Sequence, residues 1–279
     1  MHHSDTMYFL ANDAIYEFAV PFLNSLRAYN PTRRLCFIPF DDQVDRILAL
    51  QPEYHFEVWQ DQTTLSRCDA ISRQFHGSVK GEYRKLAMWT GQYDHFLYVD
   101  TDAVILCNLD FVFPFLTEVD FLASHSDFRG LRQWVWQPSI VETGALSEKQ
   151  IGYSASTGFI GSRCGLLSLD YVESQLPAAL RLAAHMQLRC AEQPFLNYLF
   201  VTSGFNYDSL SSIAMRTQRL DIPCERWAGG GNLEVRNGRI VTPRYPATAV
   251  IHWAGLWRRL QENLLPEPEL WRYYRDLRS

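Results

Sequence analysis

The sequence predicts an α/β protein built on a mixed, mainly parallel sheet flanked by helices, and three observations predict it. Short apolar runs of strand length alternate with segments of helical periodicity over the first hundred residues. Polar and acidic residues end these apolar runs, as at the carboxyl ends of parallel strands, where ligands collect. The composition of the 279 residues, 47% apolar, 14% aromatic and 20% charged, is that of a globular protein able to bury a sizeable core.

The elements follow in order. MYFLA, Met7 to Ala11, reads as a strand that ends in Asn12-Asp13, and residues 15–29 carry apolar side chains at helical spacing until Asn30-Pro31 stops them. Residues 35–40 repeat the strand, and Asp41-Asp42 is expected to cap a short helix reaching Leu50. Residues 54–59 alternate as a third strand, 81–93 read as a helix, and HFLYVD is a fourth strand ending at Asp100. Beyond Asp110 the order is less regular. It comprises FVFPFL, a strand VDFLAS, a Trp-rich loop over 127–148, a strand at 156–161, helices at 171–186 and 192–200, a strand at 249–252 and a terminal helix over 268–279. Asn237-Gly238 is a two-residue hairpin signal. With no repeat, low-complexity tract or Gly/Ser linker, a single domain over 1–279 is expected.

A net charge of −5 supplies no global positive field, which excludes nucleic acid and anionic membrane as expected partners. The six cysteines stand singly without CxxC spacing, so they read as small buried apolar residues in a reducing compartment, not as zinc ligands. No apolar run approaches the roughly 18 residues of a membrane span, and the N-terminus lacks signal-peptide features, so the expectation is a cytoplasmic protein without a transmembrane segment.

The chemistry concentrates in YVDTDAVIL, Tyr98 to Leu106. Two carboxylates one residue apart inside a buried apolar run are costly unless a cation joins them. A hard divalent ion, Mn²⁺ or Mg²⁺, takes oxygen ligands and keeps positions for substrate phosphates, so Asp100 and Asp102 are candidate metal ligands. Two chemistries use such a strand. In a haloacid-dehalogenase-like phosphatase Asp100 would attack phosphorus, which requires a later Lys and another acidic pair; downstream of Asp102 the one Lys is Lys149. In a sugar-nucleotide transferase the metal held by the pair neutralises the departing diphosphate.

Several collinear segments resemble glycosyltransferase family eight, the glycogenin and lipopolysaccharide galactosyltransferase group with the GT-A nucleotide-diphospho-sugar transferase fold. These are FLANDAIYEFAVPFLNSL, RKLAMWTGQYDHFLYVDTDAVILCNLDFVF, STGFIG, EQPFLN and IHWAG. The resemblance covers most of residues 7 to 260, except about 129–150 and 203–247. It implies a nucleotide-binding half over 1–110, an acceptor half over 111–279, and transfer of a sugar from a UDP-sugar to a saccharide or other hydroxyl acceptor with retention of configuration. It also implies His252 as third ligand of Mn²⁺, and Gly255 and Arg258 as a diphosphate clamp in which Arg replaces the family's Lys. Leu10, Asn12, Tyr16 and Thr101 would frame the nucleotide, with Tyr16 stacking on the base. Lys85, or Arg84 beside it, would reach the donor sugar and phosphate; Glu192 and Gln193 would orient the sugar; Asp127, Ser156 and Thr157 would contact it. The departures at Ser156, Glu192 and Arg258 also allow a non-catalytic sugar-nucleotide binder. Trp134 and Trp136 are open to two uses, a stacking platform for a sugar ring or a lid on the core.

Overall fold

A computed structural model describes residues 5–127, 129–230, 233–241, 247–256, 259–260 and 264–277. The fold is mixed α/β, with a central, mostly parallel sheet flanked by helices. The chain divides into two compact units.

The first unit contains Thr6–Trp59, Tyr98–Phe111 and the described part of Ala214–Ser279. Its strands Asp5–Ala11, Leu35–Pro39 and Glu57–Val58 run parallel in that spatial order, with Leu10 opposite Ile38. The third is much shorter than the 54–59 strand expected, because the short helix Gln51–Tyr54 takes up its start and His55 follows in the left-handed region at φ 49°. Helix Tyr16–Tyr29 begins close to the expected place, and helix Pro268–Asp276 packs on it. The Trp271 indole donates to the Glu17 carbonyl at 3.1 Å, and the Asn24 amide donates to the Tyr274 carbonyl at 2.8 Å. Between these helices and a second sheet lies a core of Phe18, Val104, Ile251, Trp253, Leu270 and Trp271. That second sheet has the spatial order Ala103–Ile105, Thr248–His252, Cys224–Trp227, the first pair antiparallel and the second parallel. The expected hairpin is present: Asn237 and Gly238 have φ 50° and 70°, and a Cβ on Gly238 would lie 2.1 Å from the Tyr273 ring, so glycine alone fits there.

Asp41 and Asp42 do not cap the next helix. Val44 stands at the N-cap of Asp45–Leu48, and the carboxylate that serves its amides is Asp13, accepting from Arg46 N at 3.0 Å and Ile47 N at 3.2 Å. Asp41 instead accepts from the Gln43 amide and from the Asn12 side chain, both next to strand ends.

The second unit contains Gln60–Leu97 and Val112–Ile213. Strand Phe121–Ala123 lies between Phe159–Arg163, antiparallel to it, and Tyr207–Ser209, parallel to it. An aromatic chain of Trp89, Phe96, Phe121 and Phe200 fills its core. Helix Gln62–His76 is absent from the expectation. Its Leu65, Cys68, Ile71 and Phe75 form a buried stripe, and Asp61 and Gly77 cap its ends. The helix expected over 81–93 is present as the 3₁₀ helix Gly81–Thr90, and the expected Trp-rich loop contains the short helices Arg129–Arg132, Pro138–Thr143 and Glu148–Tyr153. The expected strand at 156–161 begins later, at Phe159.

All six cysteines are free thiols. Among the described residues no helix is long and apolar enough to cross a membrane.

Candidate functional site

The sequence-predicted residues gather in two groups, one in each unit. In the first unit, Asp100, Thr101 and Asp102 link strand His95–Val99 to strand Ala103–Ile105. Ala103 is the cross-strand partner of His252, so the residue before it, Asp102, arrives beside the imidazole, and the Trp253 amide fixes this by donating to the Asp102 carbonyl at 2.8 Å. His252 Nε2 lies 2.9 Å from Asp102 Oδ1 and 3.6 Å from Asp100 Oδ2. One ligand atom from each of the three falls within 4.8 Å of the other two. The carboxylates are oriented from outside: the Tyr98 hydroxyl donates to Asp100 Oδ1, and the Gly255 amide donates to Asp102 Oδ2 at 3.1 Å. Gly255 does this at φ 68°, a conformation glycine adopts without strain.

Burial pushes the Asp102 carboxyl upward, but the charge and hydrogen bond of His252, with the Gly255 amide, outweigh it and hold the group below its usual range. Burial pulls the His252 ring downward; the Asp102 and Glu225 carboxylates outweigh that and raise it well above its ordinary value. Two carboxylate oxygens and one imidazole nitrogen that already converge are a fitting donor set for Mn²⁺ or Mg²⁺, which the imidazole would ligate as a neutral ring.

Around this group, the buried Thr101 hydroxyl donates to the Leu10 carbonyl at 2.7 Å, tying the aspartate link to the first strand. The Asn12 amide donates to Asp41 Oδ2 at 2.7 Å. The Arg46 guanidinium covers a face of the Tyr16 ring, 3.8 Å from its centroid, so that face is already stacked by a cation. Arg258 lies outside the described residues.

In the second unit Lys85 is buried and reaches Glu192 Oε1 at 2.7 Å and the Thr157 carbonyl at 3.3 Å. The Thr157 hydroxyl donates to the same Glu192 oxygen at 2.9 Å. Arg84, the alternative to Lys85, instead forks onto Asp69 of helix Gln62–His76 at 2.9 and 2.8 Å. Ala191, immediately before Glu192, is held at φ 47°, ψ −115°, a strained conformation for a residue with a Cβ. Gln193 bridges two segments through its side chain: Oε1 accepts from the Thr157 amide at 3.2 Å, and the NH₂ donates to the Trp134 backbone carbonyl at 3.0 Å. Trp136 is buried and belongs to the core, whereas Trp134 is 44% exposed, with the Arg189 guanidinium 4.8 Å from its ring centroid. Ser156 is buried and its hydroxyl accepts from the Gly158 amide. Asp127 is exposed at φ 55°, accepting from the Ser126 and Ser212 hydroxyls.

Sequence reasoning missed Glu225, Tyr98, Arg46 and Arg189. For Glu225 a signal existed, a carboxylate inside the short buried stretch CERW; the placement of the two arginines over rings depends on tertiary structure alone.

No protein-family model matches the sequence, and no curated protein matches it. Solved structures do resemble it. Over 98% of its length the chain matches 52% of the bifunctional glycosyltransferase WbbM in its apo structure, with a TM-score of 0.57 and 13% identity, so it spans about half the length of that protein. Over 97% of its length it matches 100% of the galactosyltransferase LgtC in complex with donor and acceptor sugar analogues, with a TM-score of 0.51 and 15% identity. An active-site mutant of LgtC is similar over the same shares, with a TM-score of 0.53 and 14% identity. At these identities the likeness is one of fold, and that fold is the GT-A fold expected from the sequence.

Proposed function

We propose that this chain is a metal-dependent glycosyltransferase that moves a sugar from a UDP-sugar to an acceptor hydroxyl with retention of anomeric configuration. The observation that carries the reading is the convergence of Asp100, Asp102 and His252 in a chain with the fold of glycosyltransferases. LgtC was solved with donor and acceptor sugar analogues, which supports the same two ligand classes here, a nucleotide sugar and a saccharide or other hydroxyl acceptor. Asp100, Asp102 and His252 Nε2 would hold Mn²⁺ or Mg²⁺, which when bound supplies positive charge against the departing diphosphate.

The chain's own residues do the remaining work in this reading. Tyr98 and Gly255 hold the two carboxylates in place, so little reorganisation is needed when a donor arrives. Gly255 and Arg258 serve the diphosphate, and Leu10, Thr101, Asn12 and Tyr16 frame the nucleotide. Because Arg46 occupies one face of Tyr16, a base takes the other face or displaces the guanidinium. Lys85 and Thr157 orient Glu192, Gln193 braces the segment carrying Trp134, and with Asp127 and Ser156 these residues shape the donor-sugar subsite. The phosphatase reading needs a different fold around its aspartates and has no support in a GT-A chain.

Thermal melting with nucleotides and nucleotide sugars, with and without Mn²⁺, tests the reading. UDP compounds are expected to raise the melting temperature with metal and not without it, and a UDP-sugar is expected to release UDP slowly in water. No response to any nucleotide removes the proposal. Stabilisation by UDP without turnover of any donor reduces the chain to a sugar-nucleotide binder.

A further inference from the structure

We infer that Glu225 is a positioning residue of the cation site, fixing the His252 ring so that Nε2, and not Nδ1, faces Asp100 and Asp102. This rests on the reading that these three residues hold a divalent cation. Glu225 lies in strand Cys224–Trp227, within the region of sequence that resembles nothing in the family. Its side chain is 1% exposed, and its Oε1 sits 2.5 Å from His252 Nδ1. A carboxylate is costly to bury, and here the burial places it against one ring nitrogen of a candidate ligand.

The strand register explains how it gets there. Cys224 pairs with Thr248, but the next partner of the parallel pair is Val250 with Glu225, so Ala249 is skipped at an irregularity. Side chains alternate along a strand, so Val250 and His252 share one face. Glu225, opposite Val250, joins them on that face. Without the skipped residue Glu225 would pair with Ala249 and point to the other face of the sheet, away from the imidazole. The irregularity therefore serves to bring a carboxylate to Nδ1. With Nδ1–H donated to Glu225, Nε2 is the ring nitrogen left to face the two aspartates, and its lone pair is the one free to ligate a cation held between them. Such an outer carboxylate typically changes metal affinity about tenfold to a hundredfold when removed.

The test is Mn²⁺ binding to the full chain, read from the electron paramagnetic resonance signal of free Mn²⁺, for wild type, Glu225→Gln and Glu225→Asp. Wild type is expected to bind one ion. Glu225→Gln, which can turn its NH₂ to Nδ1 and so favour the wrong tautomer, is expected to bind about tenfold to a hundredfold more weakly, with Glu225→Asp in between. Equal affinity of wild type and Glu225→Gln overturns the inference while leaving the transferase reading intact. Weakened binding together with no turnover of any UDP-sugar by wild type supports the inference and overturns the transferase reading. Failure of wild type to bind Mn²⁺ or Mg²⁺ overturns both. A second measurement needs no variant: in Mg²⁺-saturated protein with ¹⁵N-labelled histidine, the His252 resonance is expected to show a protonated Nδ1. A proton on Nε2 instead overturns the inference even if the variants do not fold.

Discussion

The two groups of ionisable side chains use the same kinds of residue to opposite ends. In the second unit Lys85 and Glu192 are 4% and 5% exposed and are bound further by Thr157. In the first unit Asp100 and Asp102 are 26% and 17% exposed and converge on one imidazole backed by a third carboxylate. A sealed pair of opposite charges is part of the folded architecture, since removing one partner strands the other in a low dielectric. An acid-rich group open at its edge can take up a cation from solvent at much lower cost. Exposure and the ratio of acids to bases, more than residue type, separate a brace from a binding site.

Neutralising one charge in each group sharpens that contrast. Asp102→Asn is expected to produce the largest effect, a loss of about a hundredfold to a thousandfold in metal-dependent UDP release, with the metal-free fold retained by circular dichroism. Undiminished turnover in this variant would break the assignment of the open group. Lys85→Met is expected to act on stability first, costing about 3–5 kcal/mol in denaturant unfolding because Glu192 remains buried without its ammonium. Adding Glu192→Gln to Lys85→Met is expected to recover a large part of that loss, and a double variant no more stable than the single would show that the pair is not the brace described.

How far the two groups were legible in the sequence differs for physical reasons. The DxD announced itself because two carboxylates interrupt an apolar run, and the hairpin because Asn237-Gly238 fits the left-handed turn that strands need. Helix Gln62–His76 was readable in principle from Asp61, Gly77 and its apolar stripe, but three apolar residues and a cysteine among eleven polar and small ones give a faint period. Asp41-Asp42 misled because the capping carboxylate, Asp13, comes from 33 residues away in sequence. Lys85 could be singled out but not its partner: a buried ion pair across 107 residues leaves no local pattern. The register irregularity that turns Glu225 toward His252 belongs to the pairing of two strands, and neither strand carries it alone.

A smaller effect probes how tightly the sealed group is aimed. Ala191→Gly removes a Cβ from a strained backbone at φ 47°. It is expected to relieve about 1–3 kcal/mol of strain, offset by about 0.4–1 kcal/mol of entropy gained by the unfolded glycine, for a small net stabilisation. The chemical-denaturation midpoint reads this out; a clear loss of stability would mean the alanine side chain makes a contact worth more than the strain.

The smallest effect is a pH dependence at the edge of the same group. His76 Nε2 donates to the Ala191 carbonyl at 3.1 Å and lies 3.0 Å from the Tyr83 hydroxyl. Burial lowers the His76 pKa below its ordinary value; the Ala191 carbonyl partly opposes this, and the Lys80 charge adds to it. A folded pKa below the unfolded value, about 6.5, means the unfolded chain takes up the proton first as pH falls. The histidine thus costs no stability above about pH 6.5, and stability drains away as pH drops from there through the folded pKa. His76→Gln keeps a donor for Ala191 without a titrating ring, so the stability difference between wild type and variant is expected to shift in the variant's favour as pH falls from about 7.5 to 5. A difference that stays constant across that range, or moves the other way, would place the acid sensitivity of this unit elsewhere than at the histidine that holds Ala191.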